Sequence, residues 1–185
     1  IRSHQDKRRK GSAMKLEGNR DIEVHVRWLI RRDMPEVLDI ESTSFEFPWS
    51  QDDFISCLQQ RNCIGMVAEL DGEVVGYIVY EMGRSDFHVL NLAVRPDVRR
   101  RGVGQQMIAK IVSKLRQGQR TEVRLEVRET NLAAQLFFRR LGFQAVSVLK
   151  DFYEDTVEDA YSMLYHLESQ TSSATPHNRL RRFAG

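Results

Sequence analysis

Residues 64–82 leave this chain little freedom. Two largely apolar runs, 64–70 and 73–82, are separated only by Asp71-Gly72. A two-residue link between strands needs positive φ at both positions, and Asp-Gly supplies it at low steric cost. The pair therefore predicts an antiparallel hairpin closed by a type I′ turn. A third apolar run, 87–94, follows after a short link. Three consecutive strands on short links exclude an all-parallel doubly wound sheet, whose strands need long crossovers.

The remaining periodicity alternates between two and 3.6. Val24, Val26, Trp28 and Ile30 alternate along 23–30 and predict a strand. Asp33 is positioned to cap a helix with Pro35 in its first turn, running to about residue 42. After the loop Ser44-Phe45-Glu46-Phe47-Pro48-Trp49, Ser50 and Asp53 form a capping-box pattern that opens a helix to about residue 61. Val103, Met107, Ile108, Ile111, Val112 and Leu115 share one face of a helix over 103–117, which Gly118 stops. A strand is expected over 123–127. A helix capped by Thr130 or Asn131 ends at Leu141-Gly142, and strands over 143–149 and 160–167 complete the pattern. The order β-α-α-β-β-β-α-β-α-β-β predicts a layered α/β (α+β) fold with a mixed sheet.

At 185 residues the chain fits one domain, expected over 23–168, between a basic flexible tail over 1–22 and a polar, basic tail over 169–185. The net charge of +2 gives no overall case for a nucleic-acid-binding fold, although basic residues cluster locally, and contact with nucleic acid is expected at most from the tails. Two cysteines are too few for a disulfide framework, and the five histidines show no ligand spacing, so no metal is expected. No apolar run is long enough to span a bilayer and the start is polar; a cytoplasmic protein is the expectation.

The sharpest local feature is Arg99-Arg100-Arg101-Gly102-Val103-Gly104, set between a strand and a long amphipathic helix. Two glycines allow the backbone to approach a ligand closely. The first amides of the helix lack intrahelical partners and carry the positive end of its dipole, which favours a bound pyrophosphate. No Gly-Lys-Ser/Thr follows, as a P-loop requires. Position 107 is Met where a dinucleotide fold needs its third glycine. A plain helix start with solvated arginines is the alternative.

Arg99-x-x-Gly102-x-Gly104 resembles motif A of the GNAT acetyltransferases. Asn91-Leu92-Ala93-Val94-Arg95-Pro96 resembles that superfamily's fourth strand, and the stretch from Asn131 to Leu141-Gly142-Phe143 resembles its motif B. Phe47-Pro48-Trp49-Ser50, Leu125-Glu126-Val127-Arg128 and the Asp151-Phe152-Tyr153 stretch leading to Glu158-Asp159-Ala160 narrow the likeness to the ribosomal-protein-alanine N-acetyltransferases, the RimI family.

The resemblance implies a mostly antiparallel seven-stranded sheet splayed between strands 4 and 5 and flanked by four helices. It implies acetyl-CoA as cosubstrate and the N-terminus of a protein, an Ala-starting ribosomal protein, as acceptor. Leu92, Ala93 and Val94 would lie along the pantetheine arm, with the Val94 amide polarising the thioester carbonyl. Arg99, Arg100, Arg101, Gly102, Val103, Gly104 and Gln105 would hold the pyrophosphate, and Asn131 would bond near the thiol arm. Phe47, Pro48 and Trp49 would form one wall of a peptide groove, and Tyr153 the other. Glu126 would be the general base. The family places a tyrosine at position 138 as proton donor to the leaving thiol; here Phe138 follows Phe137, and Tyr153 is the candidate substitute. Two alternatives stand beside this: acetylation of a small-molecule amine or lysine, and an acetyl-CoA-binding protein with weak catalysis.

An α-amino acceptor suits a modest base. Its pKa is near 8, against about 10.4 for lysine, so roughly a tenth of such amines are already neutral at pH 7.

Overall fold

The computed structural model describes residues 21–167. Seven strands form one sheet: β1 (His25–Trp28), β2 (Cys63–Leu70), β3 (Glu73–Met82), β4 (Asp86–Val94), β5 (Glu122–Arg128), β6 (Gln144–Tyr153) and β7 (Glu158–His166). Their spatial order is β1-β2-β3-β4-β5-β7-β6. The α-helices are α1 (Met34–Ser44), α2 (Gln51–Leu58), α3 (Val103–Gln117) and α4 (Leu132–Arg140). The tails expected at 1–22 and 169–185 fall, apart from Asp21 and Ile22, outside the described residues.

Local chemistry sets most of these elements. Asp71 and Gly72 both have positive φ, 51° and 88°, as the hairpin between β2 and β3 demands. Ser50 Oγ accepts from Asp53 N–H at 3.2 Å, while Asp53 Oδ2 accepts from Ser50 N–H at 2.8 Å, a reciprocal capping box. On α3, Val103, Met107, Ile108, Ile111 and Leu115 are buried, worth about 1.5–3 kcal/mol each for the larger side chains. Gly118 ends that helix with extended backbone, φ −120°, so its role there does not depend on a left-handed turn.

Asp33 departs from expectation. It precedes α1 but makes no cap hydrogen bond. Its carboxylate accepts instead from Arg27 Nη1 at 2.7 Å and from the Ile30 N–H at 2.9 Å. A guanidinium within reach outcompetes the helix amides for a buried carboxylate.

Two apolar layers enclose the sheet. α3 and α4 cover one face, with Met107, Ile111 and Phe138 against Ile78, Tyr80 and Leu125. α1 and α2 cover the other, with Val37, Ile40 and Phe54 against Val67, Tyr77 and Val79.

The sheet opens in its middle. β4 and β5 pair in parallel only from Asp86 opposite Glu122 to Val89 opposite Leu125. On the other side of β4, Val79 pairs with Asn91 and Tyr80 with Val89, so Leu90 is an extra residue, a bulge. A bulge bends its strand. Beyond it β4 stays with β3 while β5 stays with β7 as far as Arg128. Arg95 N–H bonds Val75 O at 2.9 Å. By the alternation of an antiparallel ladder, the N–H groups of Leu92 and Val94 then point the other way, into the opening.

Candidate active site

Two clefts meet at this opening. One, of about 500 Å³, lies at the start of α3; the other, of about 610 Å³, lies between the α1–α2 link and the β6–β7 turn. Ser44, Phe45, Leu92, Asn131, Ala134 and Phe138 line both. The two clefts therefore adjoin as one channel along β4, with a mouth at α3 and a mouth beside the α1–α2 link.

The mouth at α3 has groups suited to an anion. Gln106 N–H is bonded to Gly102 O at 3.1 Å, so the amides of Val103, Gly104 and Gln105 are the ones a helix start leaves without intrahelical partners. Gly102 sits at φ +81°, a left-handed conformation that suits glycine. A Cβ on Gly104 would lie 3.1 Å from Phe137 Cζ. Arg99, Arg100 and Arg140 line the rim. This cradle fits a pyrophosphate.

Leu92, Ala93, Val94, Arg99, Arg100, Gly102, Val103, Gly104, Gln105 and Asn131 all line this mouth, and Arg101 does not. The Arg101 carbonyl accepts from Ile22 N–H at 3.0 Å instead. Arg99 ties the end of β4 to the end of α1, donating to Val94 O at 2.8 Å and to Ser44 Oγ at 2.7 Å. Asn131 Oδ1 caps α4 through the Ala134 N–H at 3.0 Å.

Asp21 is the surprise here. It lines the cradle, and its Cγ is 3.1 Å from where a Gly102 Cβ would be. Gln106 straps the segment down, with Oε1 on Val24 N–H at 3.1 Å and Nε2 on Ile22 O at 2.6 Å. A carboxylate at an anion site opposes the anion, so Asp21→Asn should lower the KM for the acetyl-CoA that the resemblance implies about two- to fivefold, the scale of an exposed charge pair. Initial rates at low ionic strength, where screening is weakest, provide the check.

The other mouth carries the candidate chemistry. Glu126, on β5, is 10% exposed, and His88 Nε2 on β4 lies 2.5 Å from its Oε2. Arg124 Nη1 is 3.8 Å from Oε1. The alternation of β5 buries Val123, Leu125 and Val127 on the side opposite Glu126. Phe47, Trp49, Tyr153 and Glu46 line this mouth, and Pro48 does not. Burial pushes the Tyr153 hydroxyl above the ordinary tyrosine range, opposed by Arg128. Phe138 is 7% exposed, packs edge-on against Phe143, and stands where the two mouths join.

Sequence reasoning missed three residues here. His88 sits between apolar neighbours on β4, and only the parallel pairing with β5 brings it to Glu126. Glu41 lies on the inner stripe of α1 and is 1% exposed. Its carboxylate accepts from the Trp49 N–H at 2.7 Å, from Asn91 Nδ2 at 3.2 Å and from the Tyr77 hydroxyl. A charged residue on the apolar stripe of a helix was the available signal. Arg128 is the third; it pairs with Asp155 and Glu158, and the hydroxyls of Thr130 and Thr156, with Arg128, pull Glu158 down to about 2. Cys57 and Cys63 are buried, and burial pushes both thiols up, away from reactivity.

The sequence profile of the acetyltransferase (GNAT) family matches residues 34–143. That span holds the cradle, the opened sheet and α4. The chain belongs to the GNAT acetyltransferase family. It is similar to an N-alpha-acetyltransferase of Sulfurisphaera tokodaii, 31% identical over 160 residues that cover 80% of this chain and 95% of the relative. It is also similar to the [ribosomal protein bS18]-alanine N-acetyltransferase of Escherichia coli K12, 28% identical over 71% of this chain and 89% of that one. The crystal structure of the ribosomal-protein-S18-alanine N-acetyltransferase from Escherichia coli superposes with a TM-score of 0.72 at 25% identity, covering 82% of this chain and 98% of that one. This GNAT chain is an acetyl-CoA-dependent N-acetyltransferase of the RimI type. Among its described residues no helix is long and apolar enough to cross a membrane, and no group of three or more His, Cys, Asp or Glu side chains is placed to hold a metal ion.

Proposed function

We propose that this acetyltransferase modifies the N-terminal α-amino group of a protein, with an Ala-starting ribosomal protein as the target and Glu126 as general base. The observation that carries the reading is the channel: an anion cradle at one mouth and a His-held carboxylate at the other, joined along β4. Acetyl-CoA, when bound, supplies the acetyl group as a thioester. Val103, Gly104 and Gln105 would hold its pyrophosphate by their amides, with Arg99 and Arg100 at the rim. Leu92, Ala93 and Val94 would flank its arm as an added strand does. The Val94 N–H points into the opening and would bond the thioester oxygen, steadying the charge that grows there. Asn131 has used its Oδ1 in capping and keeps its Nδ2 for the ligand.

At the acceptor mouth, Phe47 and Trp49 would face Tyr153 across the peptide. His88 fixes one oxygen of Glu126, which takes the proton from the attacking amine directly or through a water. A C–N bond forms, the C–S bond breaks, and the sulfur takes a proton from the Tyr153 hydroxyl, since Phe138 has none to give. The neighbours add support: two relatives carry α-amino acetylation or bS18-alanine acetylation in their names.

The test is a product map. The protein with acetyl-CoA is offered an Ala-starting peptide, the same peptide blocked at its N-terminus but bearing lysine, and free polyamines. Mass spectrometry should find acetyl on the Ala nitrogen alone. Preferential acetylation of lysine or polyamine would replace the reading by the alternative acceptor.

A further inference from the structure

The acceptor mouth has two aromatic walls from distant parts of the chain: Phe47 in the α1–α2 link and Tyr153 at the end of β6. One side chain reaches both. Arg128, the last residue of β5, holds its guanidinium carbon 3.8 Å from the Tyr153 ring centroid and 5.6 Å from that of Phe47. Both lie within range of cation–π attraction. The edge of the guanidinium is pinned as well. Nη1 donates to Thr156 Oγ1 at 2.6 Å and Glu158 Oε2 at 2.7 Å, and Nη2 donates to Asp155 Oδ2 at 2.7 Å. Glu158 is held in turn by the Thr130 hydroxyl, which ties this clasp to the approach of α4.

This arrangement uses up the charge of Arg128. Two carboxylates already neutralise it, so it is not placed as a receptor for an acidic substrate. Clasping the turn between β6 and β7 accounts for Asp155 and Glu158 but not for Phe47, which belongs to neither strand. A flat cation with a pinned edge and exposed faces is suited to spacing two rings, and an ammonium lacks that plane.

We propose that Arg128 is a positioning residue that couples the two walls of the acceptor mouth, so that one guanidinium sets the spacing into which the first residues of the acceptor fit. The proposal rests on the reading of this mouth as the acceptor site. Arg128 acts through Phe47 and Tyr153, and touches neither the thioester nor the attacking nitrogen. Its loss therefore falls on acceptor binding, while coenzyme binding at the other mouth is untouched.

A double-mutant cycle tests it. Arg128→Gln, Phe47→Leu and the double variant are assayed in the full chain with an Ala-starting peptide, varying peptide and acetyl-CoA separately. Each single change should raise the peptide KM about tenfold, and the pair about 10- to 20-fold rather than the roughly 100-fold of independent sites. The KM for acetyl-CoA should not move, and the coupling is read on the peptide KM, because kcat also answers to the Tyr153 hydroxyl whose ring lies 3.8 Å from the guanidinium. Arg128→Lys retains the charge and a bond to the carboxylates. It protects the test against a misfolded glutamine variant and should show the same sub-multiplicative coupling with Phe47→Leu. Multiplicative effects, an unchanged peptide KM, or a loss carried by acetyl-CoA would each overturn the coupling. The wild type separates the two levels. If it acetylates the peptide and the cycle is multiplicative, only the coupling fails; if it leaves the peptide unmodified, the acceptor reading fails and the coupling falls with it.

Discussion

Glu126→Gln should cut kcat/KM for an Ala-starting peptide by about 10²–10⁴, the usual worth of a positioned general base. Glutamine fills the same space on β5 and still offers an oxygen to His88 Nε2, now at 2.5 Å from the carboxylate, so the fold and the cleft should survive. What is removed is the capacity to take a proton. The KM for acetyl-CoA should be unchanged because the cradle lies at the other mouth. The pH dependence adds a second check. Near pH 7 roughly a tenth of the α-amines are neutral, and by about pH 9 nearly all are. Both rates should therefore rise with the neutral fraction, by up to about tenfold, while most of the deficit persists, because even a neutral amine must give up a proton as the amide forms. Equal rates for wild type and variant across that range would take Glu126 out of the mechanism.

Features governed by neighbours in sequence were legible in advance. The Asp71-Gly72 turn, the Ser50–Asp53 box and the apolar face of α3 each depend on residues within a few positions of one another, and the structure has them as expected. The left-handed Gly102 and the start of α3 at Val103 belong to this group, since a glycine pair before a helix is a local pattern; that this helix start holds a pyrophosphate is the proposal. The seven-stranded, opened sheet came from the family resemblance, and β6 shows why pattern alone stopped short. Nearly every residue of this edge strand is exposed, so alternation does not mark it, and it runs to Tyr153 where the sequence suggested an end near residue 149. Its link to β7 turns on Val157 at φ 55°, a conformation no pattern predicts for a β-branched residue.

What stayed hidden in the site has one physical character: each case is a polar group whose partner is far away in sequence. His88 meets Glu126 across 38 residues, and Glu41 meets Asn91 across 50. Arg128 reaches Phe47 only because the α1–α2 link folds over the opening. Asp33 is the converse case. Its local pattern fitted a cap, yet Arg27, six residues back, claimed the carboxylate. Charge-assisted bonds at close range override helix-capping preference, and sequence spacing does not report which will prevail.

Gly104→Val should raise the KM for acetyl-CoA about 10- to 100-fold, equivalent to roughly 1.4–2.8 kcal/mol of lost binding. Gly104 lies in the first turn of α3, lines the cradle and is buried. Even a bare Cβ there would lie 3.1 Å from Phe137 Cζ and 3.7 Å from Val94 Cγ2. The γ-methyls of valine have only two places to go. Toward Phe137 they displace a ring that packs edge-on against Phe138, at the junction of the two mouths. Toward the cradle they occupy the space where a phosphate oxygen must approach the amides of Val103, Gly104 and Gln105. Gly104→Ala adds the Cβ alone and should fall between wild type and valine, since the phenyl ring can shift by a few tenths of an ångström. Alanine is also the better helix former, so weakened binding in that variant cannot be charged to loss of α3. Calorimetric titration with coenzyme A should follow the same order as the KM values, while peptide KM at saturating acetyl-CoA stays near wild type. A valine variant that binds coenzyme A as tightly as wild type would mean that the anion is held elsewhere. The glycines of this loop would then serve only the packing of α3 against α4.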